Sequence, residues 1–180
     1  MDTRITLRLC VPADAAALSL VGQATFLDAF AGTLDGADIL GHCARQHSLD
    51  FYVDFLARDR ACAWLAEAAP GGAPVGFLLL APADLPIPDP SPDDLEVKRI
   101  YLLTRFHRGG LGRRLMDEAI AEARRRGCRR LLLGVYGGNA AAIAFYERVG
   151  FTRAGTRTFR VGDHDYQDLV LALAIDPAAP

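Results

Sequence analysis

The feature that most restricts the fold is a glycine-rich segment at residues 105–112, RFHRGGLG. It joins a predicted strand ending near Thr104 to a predicted helix beginning near Leu111. Glycines at such a turn let backbone N–H groups approach a ligand closely, and the helix dipole adds partial positive charge. The turn therefore predicts a site for a phosphate or pyrophosphate group. A tight turn that binds no ligand is the alternative.

Two common nucleotide-binding loops do not match these residues. A Walker A loop needs Gly-Lys followed by Ser or Thr, whereas two arginines follow Gly112, and Lys98 is the only lysine in the chain. The dinucleotide fingerprint of a Rossmann fold would need a small residue where Leu115 stands. The turn therefore indicates a different kind of anion site.

The hydrophobic periodicity around this turn predicts one mixed α/β domain spanning residues 1–180. Strands are predicted at 4–10, 61–68, 74–81, 94–103, 128–136, 152–161 and 166–175. Helices are predicted at 12–30, 38–57, 111–127 and 139–150. The segment from Pro82 to Pro92 holds five of the ten prolines and is predicted to be a loop.

Membrane and metal-binding classes are not indicated. No apolar run reaches the roughly 18 residues of a membrane span, and the first residues lack a signal-peptide core, so we expect a cytoplasmic protein with no membrane partner. The cysteines contain no CxxC and the histidines no i,i+4 pair, so reduced structural cysteines and no metal site are expected. The cysteines are Cys10, Cys43, Cys62 and Cys128.

Charge is divided unequally along the chain. Residues 1–98 carry a net charge of −8 and residues 99–180 a net charge of +6. This division predicts an anionic ligand for the second half and a cationic one for the first, although solvated faces also produce charge clusters. Nucleic acid is not expected, because the basic cluster at 124–130 has no interleaved aromatic residues and the pI is about 6.1.

Two motifs in order resemble the GCN5-related N-acetyltransferase (GNAT) superfamily. The segment HRGGLG at 107–112 resembles its acetyl-CoA loop, with histidine where the family has Gln or Arg. The segment NAAAIAFYERVGF at 139–151 has the family form N-x-x-A-x-x-F-Y-x-x-x-G-F. The resemblance implies a mixed, mostly antiparallel sheet of about six or seven strands with about four helices and a splayed strand pair at the cofactor site.

A finer resemblance concerns the two ends of the chain. Thr25-Phe26 and Phe30-Ala31 near the start, with GTRTFRVGD at 155–163 and Gln167-Asp168-Leu169 near the end, look similar to the spermine/spermidine-type (PaiA-like) branch. This similarity suggests a subfamily without establishing a substrate: a polyamine-like acceptor is favoured, and aminoglycosides, amino-acid amines and protein lysines remain open.

The resemblance implies that acetyl-CoA is a co-substrate held by the strand, the turn and the second motif, with no metal. Backbone groups of the strand would pair with the pantetheine arm, and backbone groups of the turn would hold the pyrophosphate. The implied binding residues are Ile100, Tyr101, Leu102, Arg108, Gly109, Gly110, Leu111, Gly112, Arg113, Asn139 and Tyr146. Arg105, Arg108, Arg113 and Arg114 are candidates for the 3′-phosphate.

The resemblance also implies two catalytic residues. Glu96 stands eleven residues before His107, as does the glutamate base of the histone-acetylating members, and Tyr146 matches the tyrosine that protonates the coenzyme A thiolate. The alternatives are a solvated strand-end charge for Glu96 and a core aromatic for Tyr146. Asn139 is the chain's only asparagine, and its alternative role is a simple helix N-cap.

The expected function is acetyl transfer by direct attack of a primary amine on the thioester, because no cysteine lies in either motif. A small cationic acceptor is favoured, since acidic residues of the N-terminal helices could line an acceptor groove. These are Asp28, Asp35, Asp38, Asp50 and Asp54. A protein or peptide amine acetyltransferase and an acyl-CoA-binding sensor without catalysis remain alternatives. The resemblance is compatible with a homodimer, but no interface is indicated.

Overall fold

The computed structural model describes residues 4–161 and 164–176, in which seven strands form one mixed sheet with five α-helices. The strand order is β1-β2-β3-β4-β5-β7-β6. The strands are β1 (Ile5–Leu9), β2 (Cys62–Ala68), β3 (Ala73–Pro82), β4 (Leu95–Leu102), β5 (Arg130–Tyr136), β6 (Thr152–Val161) and β7 (His164–Ala174). The helices are α1 (Ala15–Phe30), α2 (Gly36–Gln46), α3 (Leu49–Ala57), α4 (Leu111–Arg125) and α5 (Ala140–Val149). This architecture confirms the predicted α/β class.

The chain divides into two compact units, and β3, β4 and α4 each contribute to both. The first unit comprises residues up to Leu79 together with Arg99–Met116. In it β1 pairs antiparallel with β2, and α1 packs against α2 and α3. Its core contains Leu18, Tyr52 and Phe77, all less than 1% exposed.

The second unit comprises Leu80–Lys98 and the chain from Asp117 onward. In it β5 pairs antiparallel with β7, and β7 with β6. The parallel pairing of β4 with β5 joins Leu95–Val97 to Leu131–Leu133, so the described parallel ladder is short, as a splayed pair predicts. A small apolar cluster of Leu85, Leu132 and Val170 lies within this unit.

One predicted helix is divided in two. The sequence predicts a continuous helix over 38–57, but α2 ends at Gln46 and α3 begins at Leu49. The Ser48 hydroxyl accepts a hydrogen bond from the Phe51 N–H at 3.1 Å, which satisfies an otherwise unpaired amide of the first turn of α3. This cap starts a new helix in the middle of a helical pattern.

The proline-rich loop between β3 and β4 is anchored by arginines that precede or begin β5. Asp94 is 1% exposed and forms an ion pair with Arg130 at 2.6 Å, and Arg130 also donates to the Asp89 carbonyl. Within the loop the Ser91 N–H donates to Asp94. These bonds hold the chain just before β4 in one conformation.

No helix in the described part of the chain is long and apolar enough to cross a membrane.

Candidate active site

The glycine-rich turn lies in the first unit and has the backbone geometry of an anion cradle. Arg108 and Gly110 have φ values of 66° and 73°, both in the left-handed region, while the φ of Gly109 between them is not positive. Such alternation turns successive N–H groups toward one side. A Cβ added at Gly109 or Gly110 would meet no atom within 4 Å, so there is room beside the backbone for a ligand.

The start of α4 is fixed behind this turn by packing. Leu111 is 4% exposed and lies in an apolar cluster with Ala66, Ala68 and Val75. Gly112 and Arg113 follow in the first turn of a 15-residue helix. The turn and the helix N-terminus therefore offer backbone N–H groups and the helix dipole at the same place, which suits a pyrophosphate.

The strand end before the turn is positioned by a glycine on the neighbouring strand. A Cβ at Gly76 would lie 2.7 Å from the Tyr101 carbonyl oxygen and 2.2 Å from a Leu102 methyl carbon. His107 Nε2 donates to the Leu102 carbonyl at 3.0 Å, so the histidine that departs from the family motif joins the turn to the strand. Sequence reasoning did not single out Gly76. A glycine inside a strand pattern is a signal of close backbone approach.

The arginines proposed for the 3′-phosphate differ in what they contact. The Arg105 guanidinium lies over the Phe106 ring at 4.6 Å from the centroid. Arg114 donates to the Ile5 carbonyl at 3.3 Å. All four arginines are exposed, and Arg108 and Arg113 flank the glycines in sequence.

A buried aromatic cluster in the first unit contains two histidines, His42 and His47. In the sequence they stand out only as possible metal ligands and have no other indicated role. His47 is fully buried, with Nδ1 2.9 Å from the Tyr52 hydroxyl and Nε2 without a hydrogen-bond partner. His42 stacks on Phe26 with the ring centroids 4.1 Å apart. Burial and the nearby Arg99 lower the pKa of His42 to about 4 and that of His47 to about 3. Both rings are therefore neutral at pH 7.

Two of the acidic residues predicted to line an acceptor groove accept hydrogen bonds from backbone N–H groups. Asp28 accepts a hydrogen bond from the Thr104 N–H at 2.6 Å, which lowers the pKa of its carboxyl. Asp35 caps α2 by accepting from the Ala37 N–H at 2.8 Å. These two carboxylates hold backbone in place. Asp50 and Asp54 are exposed on α3.

Glu96 lies in the second unit and is 3% exposed, so it is not a solvated strand-end charge. Its Oε2 accepts a hydrogen bond from Lys98 Nζ at 2.6 Å and from the Asp84 N–H at 3.2 Å. Burial raises the pKa of the Glu96 carboxyl, and the Lys98 ammonium opposes that rise. A buried carboxylate with a raised pKa is suited to accept a proton near neutral pH.

The second motif forms α5 and its cap. The Asn139 side-chain oxygen accepts from the Ala142 N–H at 3.0 Å, as the N-cap interpretation predicts, and the helix ends at Gly150 with φ 115°. Tyr146 is 8% exposed and its ring meets Phe145 and Phe151 edge-on, with centroids 5.2 and 5.9 Å away. The aromatic packing fixes the Tyr146 ring, and its role as an acid stays a prediction.

Arg157 on β6 and Asp168 on β7 form an ion pair. Both lie in the C-terminal segments that resemble the PaiA-like branch. Asp168 is 5% exposed and accepts from Arg157 at 3.3 Å. Burial raises the pKa of Asp168, and Arg157 opposes the rise. A Cβ at Gly134 would lie 2.8 Å from the Arg157 guanidinium, so glycine there makes room for it. Gly162 and Asp163 of the same motif lie outside the described residues.

The predicted site residues fall in two groups. The strand end at 100–102 and the turn at 108–113 are together in the first unit. Glu96, Asn139 and Tyr146 are in the second unit. Across residues 4–161 and 164–176, no group of three or more His, Cys, Asp or Glu side chains is arranged to hold a metal ion.

Comparison with protein families finds the acetyltransferase (GNAT) family, whose model matches residues 35–151. An uncharacterized N-acetyltransferase of Mycobacterium tuberculosis is 33% identical over 135 residues, covering 71% of this chain and 82% of that protein. The ribosomal protein bS18-alanine N-acetyltransferase of Escherichia coli is 40% identical over 85 residues, covering 46% of this chain and 57% of that protein.

Among solved structures, the chain is similar to the PaiA N-acetyltransferase of Thermoplasma acidophilum in complex with coenzyme A. The TM-score is 0.72 at 17% identity, and the match covers 95% of this chain and 99% of that one. At this identity the likeness concerns the fold. It agrees with the architecture that the sequence motifs implied.

Proposed function

Because the chain belongs to the GNAT family and is an acetyl-CoA-dependent N-acetyltransferase, we propose that it acetylates a primary amine of a small, cationic, polyamine-like acceptor by direct attack. The observation that carries this proposal is Glu96, a buried carboxylate on β4, the strand that leads to the glycine-rich turn. Bound acetyl-CoA supplies a thioester carbonyl that accepts the amine nitrogen and releases a thiol.

The base role of Glu96 follows from the protonation of the acceptor. An alkyl amine with a pKa near 10.4 is an ammonium at pH 7, and removing its proton costs roughly 4 to 5 kcal/mol. Burial raises the pKa of Glu96 and so makes it a stronger base than an exposed glutamate. Glu96 takes the ammonium proton directly or through one water.

Tyr146 is the proposed general acid. Its hydroxyl would give a proton to the departing thiolate, and a phenol with a pKa near 10 is a suitable donor to a thiolate near 8.5. Edge-on contacts with Phe145 and Phe151 hold the ring, so the hydroxyl needs little reorganisation. Asn139 keeps the N-terminus of the same helix in register and would contact the pantetheine arm.

Direct attack is preferred to a covalent enzyme because no cysteine lies in either motif and three of the four cysteines are poor nucleophiles. Burial raises the pKa of Cys10 to about 12 and also raises the pKa of Cys43. Cys128 is 3% exposed. A nucleophilic cysteine needs a lowered pKa and access to solvent.

A peptide amine is the second candidate acceptor. The 40% identity over 85 residues to a ribosomal-protein-alanine N-acetyltransferase favours it. A small cationic acceptor is supported by the net charge of −8 over residues 1–98 and by the exposed carboxylates of Asp50 and Asp54. Each exposed pair contributes roughly 1 kcal/mol and weakens with salt.

A thiol-release assay with acetyl-CoA tests the proposal. The acceptors are spermidine, spermine, an aminoglycoside, free amino acids, a lysine peptide and a peptide beginning with alanine. We expect the highest kcat/KM with a polyamine, falling as salt rises. Turnover confined to the peptides would overturn the acceptor class. Tight coenzyme A binding without thiol release on any amine would indicate a binding module instead.

The base is tested with Glu96→Gln, which should lower turnover by about 10²-fold or more, with partial recovery at high pH where the free amine is more abundant. Glu122→Gln is the matched control, because Glu122 is likewise a carboxylate paired with cationic side chains, Arg125 and Arg126, but lies on α4. Equal rates for the two variants would refute the base role.

A further inference from the structure

Lys98 makes two short bonds to carboxylates in the second unit. Its Nζ lies 2.6 Å from Glu96 Oε2 and 2.7 Å from Asp84 Oδ1. The side chains of Lys98 and Glu96 are 21% and 4% exposed, whereas that of Asp84 is 79% exposed. The ammonium therefore joins a buried carboxylate to an exposed one, and it is the only lysine ammonium in the chain.

Both described bonds to Glu96 use the same oxygen. Lys98 Nζ and the Asp84 N–H donate to Oε2, and Oε1 takes part in neither bond. Glu96 and Lys98 are two residues apart on β4, so their side chains leave the same face of the strand. The two hydrogen bonds therefore hold the Glu96 carboxylate through Oε2 alone.

We propose that Lys98 is a positioning residue for acetyl transfer: its ammonium keeps Glu96 ionised and oriented so that Oε1 accepts the acceptor's proton, and Asp84 holds the ammonium in place. The proposal rests on the base role of Glu96 given above. Lys98 does not touch the reacting atoms; it acts through Glu96.

The physical reason is the balance between burial and charge. Leu132 lies opposite Glu96 on β5 and packs with Leu85 and Val170, so apolar surroundings favour the neutral acid. A cation within hydrogen-bonding distance favours the carboxylate. Without Lys98 only the Asp84 N–H still favours the carboxylate, so the pKa of Glu96 would rise further and a smaller fraction of Glu96 would be available as a base.

Other charged groups of the second unit also bear on this site. Asp84 from the β3–β4 loop contacts Lys98 directly. Burial acts to raise the pKa of Asp84, but Lys98 first, then Glu96 and Arg157 on β6, lower it overall. Arg157 is itself paired with Asp168 on β7. These residues stay in place in a Lys98 variant, where the Asp84 carboxylate, no longer paired with the ammonium, adds to the rise in the pKa of Glu96.

The first test is the pH dependence of kcat/KM for Lys98→Met, Lys98→Arg and the control Arg129→Met, which removes an exposed ion pair with Asp89. Lys98→Met should move the acidic limb to higher pH by about one unit or more, a loss of about tenfold at a fixed pH below the limb. Lys98→Arg keeps the positive charge and should return the acidic limb most of the way to its wild-type position. Arg129→Met should not move the limb. A loss by the same factor at every pH would overturn the proposal.

The second test uses the single lysine of the chain. Labelling with [ε-13C]lysine gives one side-chain signal, whose position is followed by NMR as pH is varied in the coenzyme-free protein. The signal should shift at the midpoint of Glu96, keep that shift in Asp84→Asn and lose it in Glu96→Gln. A signal whose pH dependence is identical in wild type and Glu96→Gln would overturn the proposal.

The two tests separate this proposal from the function it rests on. If Glu96→Gln turns over at the wild-type rate, the base assignment fails and the role of Lys98 fails with it. If Glu96→Gln is slow while Lys98→Met has the wild-type pH profile, only the positioning role is refuted.

Discussion

Replacing Gly76 by alanine should weaken coenzyme binding through the backbone of β4. The new Cβ would lie 2.7 Å from the Tyr101 carbonyl oxygen, whereas ordinary contacts begin at 3.4 Å. The strand must therefore move away by about 0.7 Å, and a misplacement near 1 Å at a binding group is costly. The Leu102 methyl carbon, 2.2 Å away, must also move.

The magnitude follows from two contributions. Overpacking of this kind costs about 1–3 kcal/mol of stability. Displacing the strand also weakens one hydrogen bond to the pantetheine arm, worth about 0.5–1.5 kcal/mol, so the coenzyme A Kd should rise by up to about tenfold. Isothermal titration calorimetry with coenzyme A measures the Kd, and thermal unfolding measures stability.

Gly41→Ala is the matched control. Gly41 lies inside α2, and a Cβ there meets only the flexible end of Arg45 at 3.3 Å. We expect unchanged coenzyme affinity and a gain of about 0.5–1 kcal/mol from helix propensity. A Gly76→Ala protein that binds coenzyme A with the wild-type Kd would refute the role of the β4 strand end, even if its stability fell.

The remaining predictions concern the aromatic cluster and α5. Gly22→Ala places a Cβ 2.3 Å from His47 Nδ1 and 2.4 Å from the Tyr52 hydroxyl, so urea unfolding should show a loss of about 1–3 kcal/mol; unchanged stability would contradict the packing. Because His42 and His47 have folded pKa values of about 4 and 3, the unfolded chain binds more protons below pH 6.5. The free energy of unfolding should be highest above pH 6.5 and fall toward pH 4 as these histidines are protonated in the unfolded chain. A free energy of unfolding that does not change over this pH range would refute the prediction. Asn139→Ala should lose about 1 kcal/mol with its N-cap, whereas Asn139→Asp should keep the stability and weaken only coenzyme binding if the amide contacts the pantetheine arm.

Local chemistry explains why much of the fold was predictable. The strand, glycine-rich turn and amphipathic helix around Gly110 are set by neighbours in sequence, and so is the cap of α5 by Asn139. The apolar pattern continues past His47, so the sequence predicts one helix over 38–57. Ser48 ends that pattern by capping a new helix, a choice that periodicity does not reveal.

The sequence by itself determined the family, the fold and the chemical class, because these depend on motifs whose residues lie within a few positions of one another. Only the tertiary structure decided the environment of the reacting groups. Asp84 in the proline-rich loop contacts Lys98 and Glu96 on β4. Gly76 on β3 lies against Tyr101 on the neighbouring strand β4. Burial and contacts between distant residues set pKa and position, and they arise from the packing of the whole chain.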